Sequence, residues 1–126
     1  MITVPYTPEQ RKFLIDEWSE SVDSFVSDPT VSIEAAAQAH HTQQTILRCV
    51  ENNSVFPPQV IDELEFLKNF LGERIVSNHI AATKNGYDKS PVYISAREHN
   101  LKNYKLLTSL LNKTYAAKQA ETLCQS

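Results

Sequence analysis

Residues 57–86, PPQVIDELEFLKNFLGERIVSNHIAATKNG, decide the fold. Two prolines open the stretch, and Pro58 suits a first helical position because its ring presets φ and its missing N–H has no partner there anyway. Beyond them Val60, Ile61, Leu64, Leu67, Phe70, Leu71, Ile75, Val76 and Ile80 recur at three- and four-residue intervals. That spacing predicts one helix of about six or seven turns over about 58–84. Asn85-Gly86 is the stop signal, since both residues tolerate the left-handed conformation that ends helices. Gly72, inside the helix, predicts a kink or a close contact.

The flanking segments are helical too. Thr7-Pro8-Glu9-Gln10 has a Thr cap, Pro at the first position and Gln three residues on, which is a capping box. Phe13, Leu14, Trp18, Val22, Phe25 and Val26 continue it to Asp28-Pro29, so a helix is predicted over about 8–27. Before it runs a short apolar arm of Ile2, Val4 and Tyr6. Ser32 opens an alanine-rich helix to His40-His41, and Thr42 can cap another that Asn52-Asn53 ends. Ser90-Pro91 starts a helix to about His99, and Asn100 can cap the last.

The predicted fold is all-α: a compact bundle of about six helices, with a long central helix (about 58–84) and two short helical hairpins (about 32–53 and 90–118). It forms a single domain over 1–118, and residues 119–126 form a frayed tail with little to bury. Trp18, Phe25, Phe66, Phe70 and Tyr104 are assigned to the core.

Composition is that of a globular chain: 41% hydrophobic, 21% charged, with only two glycines and six prolines for the turns an all-β fold needs. Cys49 and Cys124 provide no disulfide framework and no C-x-x-C, which suits reduced thiols and a cytoplasmic setting. No run approaches a membrane span, and no basic-then-apolar signal pattern opens the chain. The net charge of −3 is unevenly spread. Residues 1–60 hold three basic and eight acidic side chains, whereas seven basic and three acidic ones follow from Lys84 onward. Such asymmetry suggests complementary surfaces, within the molecule or between copies.

Ser90-Pro91-Val92-Tyr93-Ile94-Ser95-Ala96, with Asn100-Leu101 and Lys105-Leu106-Leu107, resembles an ankyrin helix pair. Ser90-Pro91 stand at the family's Thr-Pro, Ser95-Ala96 at its small stacking pair, and Lys105-Leu106-Leu107 in its second helix. Tyr93 replaces the usual His, and His99 stands where the turn favours glycine. No neighbour follows at the family's period of about 33 residues, so a regular array is excluded. The resemblance implies protein binding rather than a reaction site. Residues 32–56 are similar to the helix-turn-helix of excisionase-like and MerR-like regulators, through Glu34-Ala35-Ala36, Thr42, Thr45-Ile46, Arg48 and Val50. That likeness implies DNA reading by Gln43, Gln44 and Arg48. One arginine in the acidic half of the chain argues against it, because phosphate neutralisation supplies most DNA affinity.

Candidate chemistry is sparse. His40, His41, His79 and His99 lack metal-ligand spacing, and no phosphate loop or nucleophile elbow is present. We therefore expect no catalytic residue, no metal and no cofactor. The expected function is a non-enzymatic protein–protein interaction module, an adaptor or an inhibitor that occludes a partner's surface. Its predicted contact residues are Tyr87, Lys89, Tyr93, Arg97 and Lys102, and Tyr115 is a further tyrosine suited to an interface. A homodimer through the central helix is the second expected association.

Overall fold

The computed structural model describes residues 3–125, with side chains described to Leu123; Ile2 of the predicted arm and Ser126 lie outside the described residues. Four helices follow one another, with no strand among the described residues. Helix α1 covers 8–26 as Pro8–Lys12, a π-helical turn at Phe13–Glu17, and Trp18–Val26. Helix α2 is Ile33–Asn52, α3 is Pro58–Asn85 and α4 is Pro91–Gln125.

The all-α prediction and the long central helix hold, but six helices become four. Neither short hairpin forms: α2 runs unbroken through His40-His41-Thr42, and α4 through His99-Asn100. The predicted breaks rested on residues that can cap a helix but also sit inside one. Thr42 is buried at mid-helix, where its hydroxyl donates to Glu63 Oε1 at 3.2 Å instead of capping. With no glycine or proline in either stretch, nothing forces the backbone out of helical register. Helix continues past residue 118 to Gln125.

The true breaks carry the strongest signals. Thr7 accepts from the Gln10 backbone at 3.1 Å, and the Gln10 side chain accepts from the Thr7 N–H at 2.9 Å. Gln10 is itself buried; it donates to Ser109 Oγ at 2.8 Å and accepts from Lys113 Nζ at 3.1 Å. One capping residue thus also fastens α1 to α4. Asp28 accepts from the Thr30 backbone and hydroxyl, making the turn into α2, which Ser32 caps.

The core lies at the N-terminal end of α3 and around the middle of α4. Phe13 and Leu14 of α1, Ile46, Cys49 and Val50 of α2, Val60, Ile61 and Leu64 of α3, and Leu107, Leu110 and Leu111 of α4 form it. Val4, Tyr6 and Phe56 close it from the connecting segments, the Tyr6 and Phe56 rings tilted with centroids 5.3 Å apart. The π-helical turn inserts extra backbone between Leu14 and Trp18, a shift that the 3.6-residue pattern does not announce.

Arg11 ties the arm, α1 and α2 together. Its guanidinium donates to Val50 O at 2.8 Å, to Asn53 Oδ1, and more loosely to Tyr6 O at 3.3 Å. A cation thereby satisfies the α2 C-terminus, where the orphan carbonyls and dipole favour it. Asn53 holds φ at 52°, the left-handed cap expected of Asn52-Asn53, and its carbonyl accepts from Val4 N at 2.7 Å.

Past Leu71 the α3–α4 pair leaves the core. Between Gly72 and Leu107 only Ala82 is fully buried. The helices nonetheless stay close: a Cβ on Gly72 would meet Tyr104 Cε2 at 3.1 Å, so Gly72 marks a close contact without interrupting α3. With the exposed last turns of α4, this overhang contributes to an accessible surface of 8413 Å². A compact monomer of 14.3 kDa would expose about 6,800 Å².

Replacing Arg11 with Met should cost about 1–3 kcal/mol in urea denaturation, because Val50 O and Asn53 Oδ1 lose a charged donor in a half-buried site. Alkaline pH should also destabilise the fold. Burial, more than the nearby Cys49, pushes the Tyr6 hydroxyl well above its usual 10.0, and its bond to Ser54 O needs the proton. The folded state holds that proton more tightly than the unfolded chain. The contribution is complete below pH 10 and is lost as pH rises through the raised value. In Tyr6→Phe the fall in stability above pH 10 should be shallower than in the parent chain.

Candidate protein-binding surface

The exposed end of the α3–α4 hairpin is built from its turn. Gly86, at φ 77°, ends α3, and Tyr87 N donates back to Ala82 O at 2.9 Å. Ser90 N donates to Tyr87 O at 3.0 Å, and Pro91 begins α4. This short turn brings Tyr87 and Tyr93 edge to face, with centroids 5.9 Å apart and planes at 77°. Arg97, one helical turn beyond, lies 5.7 Å from the centre of the Tyr93 ring. Cation–π attraction is worth about 0.5–1 kcal/mol at an exposed site.

Three of the five predicted contact residues, Tyr87, Tyr93 and Arg97, therefore form one cluster. Lys89 is exposed in the adjoining turn. Lys102 is not part of the cluster. It is five residues past Arg97, about 140° around the helix, and lines a shallow depression with Glu9, Gln10 and Lys105. The sequence reading missed His79, whose Nδ1 lies 3.1 Å from Tyr93 Oη, the rings stacked at 27°. A signal for it existed: His79 and Tyr93 are equally far from Gly86, so an antiparallel hairpin sets them side by side. Beside the cluster is a cleft of about 330 Å³ lined by Ile75, Asn78, Val92 and the tyrosines; Val92 is 80% exposed.

The DNA-reading residues sit on different faces of α2. Gln43 is buried and donates to Ser19 Oγ, so its amide faces α1, not a groove. Gln44 is exposed with its Nε2 3.0 Å from His40 Nε2, and Arg48 is exposed one turn further on. Because α2 is continuous, the turn that orients a recognition helix is missing. Among the described residues, no group of three or more His, Cys, Asp or Glu is arranged to hold a metal. No helix among them is long and apolar enough to cross a membrane.

The core assignment of large side chains needs correction. Trp18 and Tyr104 are half-buried, but Phe25, Phe66 and Phe70 are 44%, 73% and 50% exposed. Periodicity reveals that a helix has an apolar stripe, not whether a partner covers it. Phe66 and Phe70 stack on each other with centroids 6.4 Å apart, on the side of α3 away from α4. Phe25, Phe70 and Trp18 also line a second cleft, of about 320 Å³, between α1 and α3. The indole N–H of Trp18 is buried with no hydrogen-bond partner among the described residues.

Tyr115, the remaining interface tyrosine, is 44% exposed and donates to Glu65 Oε1. That hydrogen bond, with smaller contributions from burial and the nearby carboxylates, pushes its hydroxyl up to about 12.

Compared with protein-family models, curated proteins and solved structures, the chain shows no significant match, so its functional reading rests on the geometry above.

Tyr87→Ala, Tyr93→Ala and Arg97→Ala should each cost less than about 1 kcal/mol of stability, since the cluster joins no buried core. Thermal denaturation of the three variants checks this.

Proposed function

We propose that this protein is a non-enzymatic, cytoplasmic protein–protein interaction module, an adaptor or an inhibitor that occludes a partner's surface, and that the exposed end of the α3–α4 hairpin makes the contact. The observation carrying this reading is the Tyr87–Tyr93–Arg97–His79 cluster, displayed beyond the core beside an apolar cleft. Tyrosine and arginine are the side chains that most often concentrate binding energy at interfaces. Tyrosine provides a broad apolar face with a polar tip, and stacked arginine is held in place before the partner arrives. Lys84 and Lys89 add positive charge at the same end, so an acidic or mixed-charge partner surface fits best.

Rigid helices are well suited to such presentation. The cluster is fixed by ring and cation–π contacts among its own members, so little side-chain entropy remains to be lost on binding. The helix-turn-helix alternative has no comparable support, because the two-helix unit it needs is one helix here.

Affinity capture from native lysate with the tagged chain should retain a partner. Tyr93→Ala and Arg97→Glu should each weaken that capture at least tenfold, with helicity unchanged. Equal recovery by the parent chain and both variants would show that the contact lies elsewhere.

A further inference from the structure

We infer that the outward face of α3 is a seam for a second copy of this chain, running antiparallel about a two-fold axis near Ile75. This surface adjoins the hairpin end at Lys84 but does not include the Tyr87–Tyr93–Arg97 cluster. The inward face of α3 is occupied: Leu64, Leu67, Leu71, Ile75 and Ala82 turn toward α4 and are buried or half-buried. The opposite face carries Phe66, Phe70, Glu73, Ser77, Ile80 and Lys84, all exposed, at alternating spacings of four and three residues. Alternation of four and three is the heptad seam, which keeps one stripe of a helix against a partner helix. Phe66, Phe70 and Ile80 on this stripe are 73%, 50% and 61% exposed, and Val76 beside it is 58% exposed. Phe70 meets the α1–α3 cleft at one edge, and the described residues leave the rest of the stripe bare.

Charge selects both the occupant and its direction. Asp62 flanks the Phe66 end of the stripe, whereas Lys84 and then Lys89 lie at the other. A parallel pair would set Lys84 against Lys84, acid against acid, and the two helix dipoles side by side. An antiparallel pair centred near Ile75 sets Phe66 against Lys84, Phe70 against Ile80 and Glu73 against Ser77. Apolar then meets apolar, and each Lys84 ammonium reaches an aromatic face, a contact that gains energy as water leaves. The face complements itself, as a two-fold interface must, and the pair closes without forming a filament.

The area is sufficient. The chain exposes about 1,600 Å² more than a compact monomer of its mass, and each partner of a standard interface covers about 800 Å². Pairing through α3 thus leaves surface for the hairpin end.

Sedimentation equilibrium of the full chain at micromolar concentrations tests the seam, and a doubled mass is expected. Ile80→Glu and, independently, Phe66→Lys, which sets like charges together at Lys84, should each raise the dissociation constant at least tenfold with unchanged circular dichroism, since neither side chain belongs to the core. Direction is read by oxidation in a Cys124→Ser background. Phe66→Cys combined with Lys84→Cys should give a disulfide-linked dimer, because the two positions lie about 27 Å apart within one chain. Lys84→Cys alone should not. A monomeric parent chain at 100-fold higher concentration, a dimer indifferent to both substitutions, or ready linkage through Lys84→Cys alone would each overturn the inference.

Discussion

A mismatch of helix lengths governs this structure. Helices α3 and α4, at 28 and 35 residues, span about 42 and 52 Å, whereas the 20 residues of α2 span about 30 Å. Two short helices packed against two long ones can cover only part of them. The core forms where all four overlap, bounded by the arm and Phe56 at its edges and by Gln10 between α1 and α4, and opening at the α1–α3 cleft. Beyond that overlap the long pair has only itself, and the apolar positions that would be core in a longer bundle become surface. The large accessible area, the exposed phenylalanines and the displayed tyrosine cluster are three consequences of this one geometry.

The polar contacts are placed where the short helices end. Arg11 satisfies the last carbonyls of α2, the Asn53 side chain takes part of the same guanidinium, and Asn53 O receives the arm. These bonds do little to create the core, but they fix where α1 enters it, and so decide which length of α3 is covered. Trp18 Nε1 and Gln43 Oε1, buried with no hydrogen-bond partner among the described residues, belong to this same α1–α2 region. The α1 helix reaches it through its π-helical turn.

Much of the architecture was legible in the residues. The capping box at Thr7, the Asp28-Pro29 break, the Ser32 cap, the Asn53 cap and the Asn85-Gly86 stop stand where expected, because proline, glycine and left-handed asparagine act locally. The false breaks at Thr42 and Asn100 were misread for a general reason. A cap works only if the helix ends there, and a threonine or asparagine inside a helix gives no sign of continuation. Exposure was the other illegible property. Phe13 and Phe66 occupy equivalent apolar positions in their own helices, and only the number of neighbouring helices separates a buried ring from a bare one. At the hairpin end, Tyr87, Tyr93 and Arg97 could be grouped by proximity in sequence. His79 required knowing that the chain doubles back at Gly86.

The near-absence of buried side chains between Gly72 and Leu107 has a further consequence, for cooperativity. Local opening is resisted by the apolar contacts that must be broken, and along this stretch few exist. The overhang and the core are therefore two units of unequal stability within one continuous pair of helices. Amide hydrogens of the outer α3–α4 turns should exchange through sub-global openings, while those around Leu64 and Leu110 wait for global unfolding. Whatever covers the overhang, a second copy or another protein, would merge the two units. Occupancy could then be followed as added protection in helices whose conformation does not change.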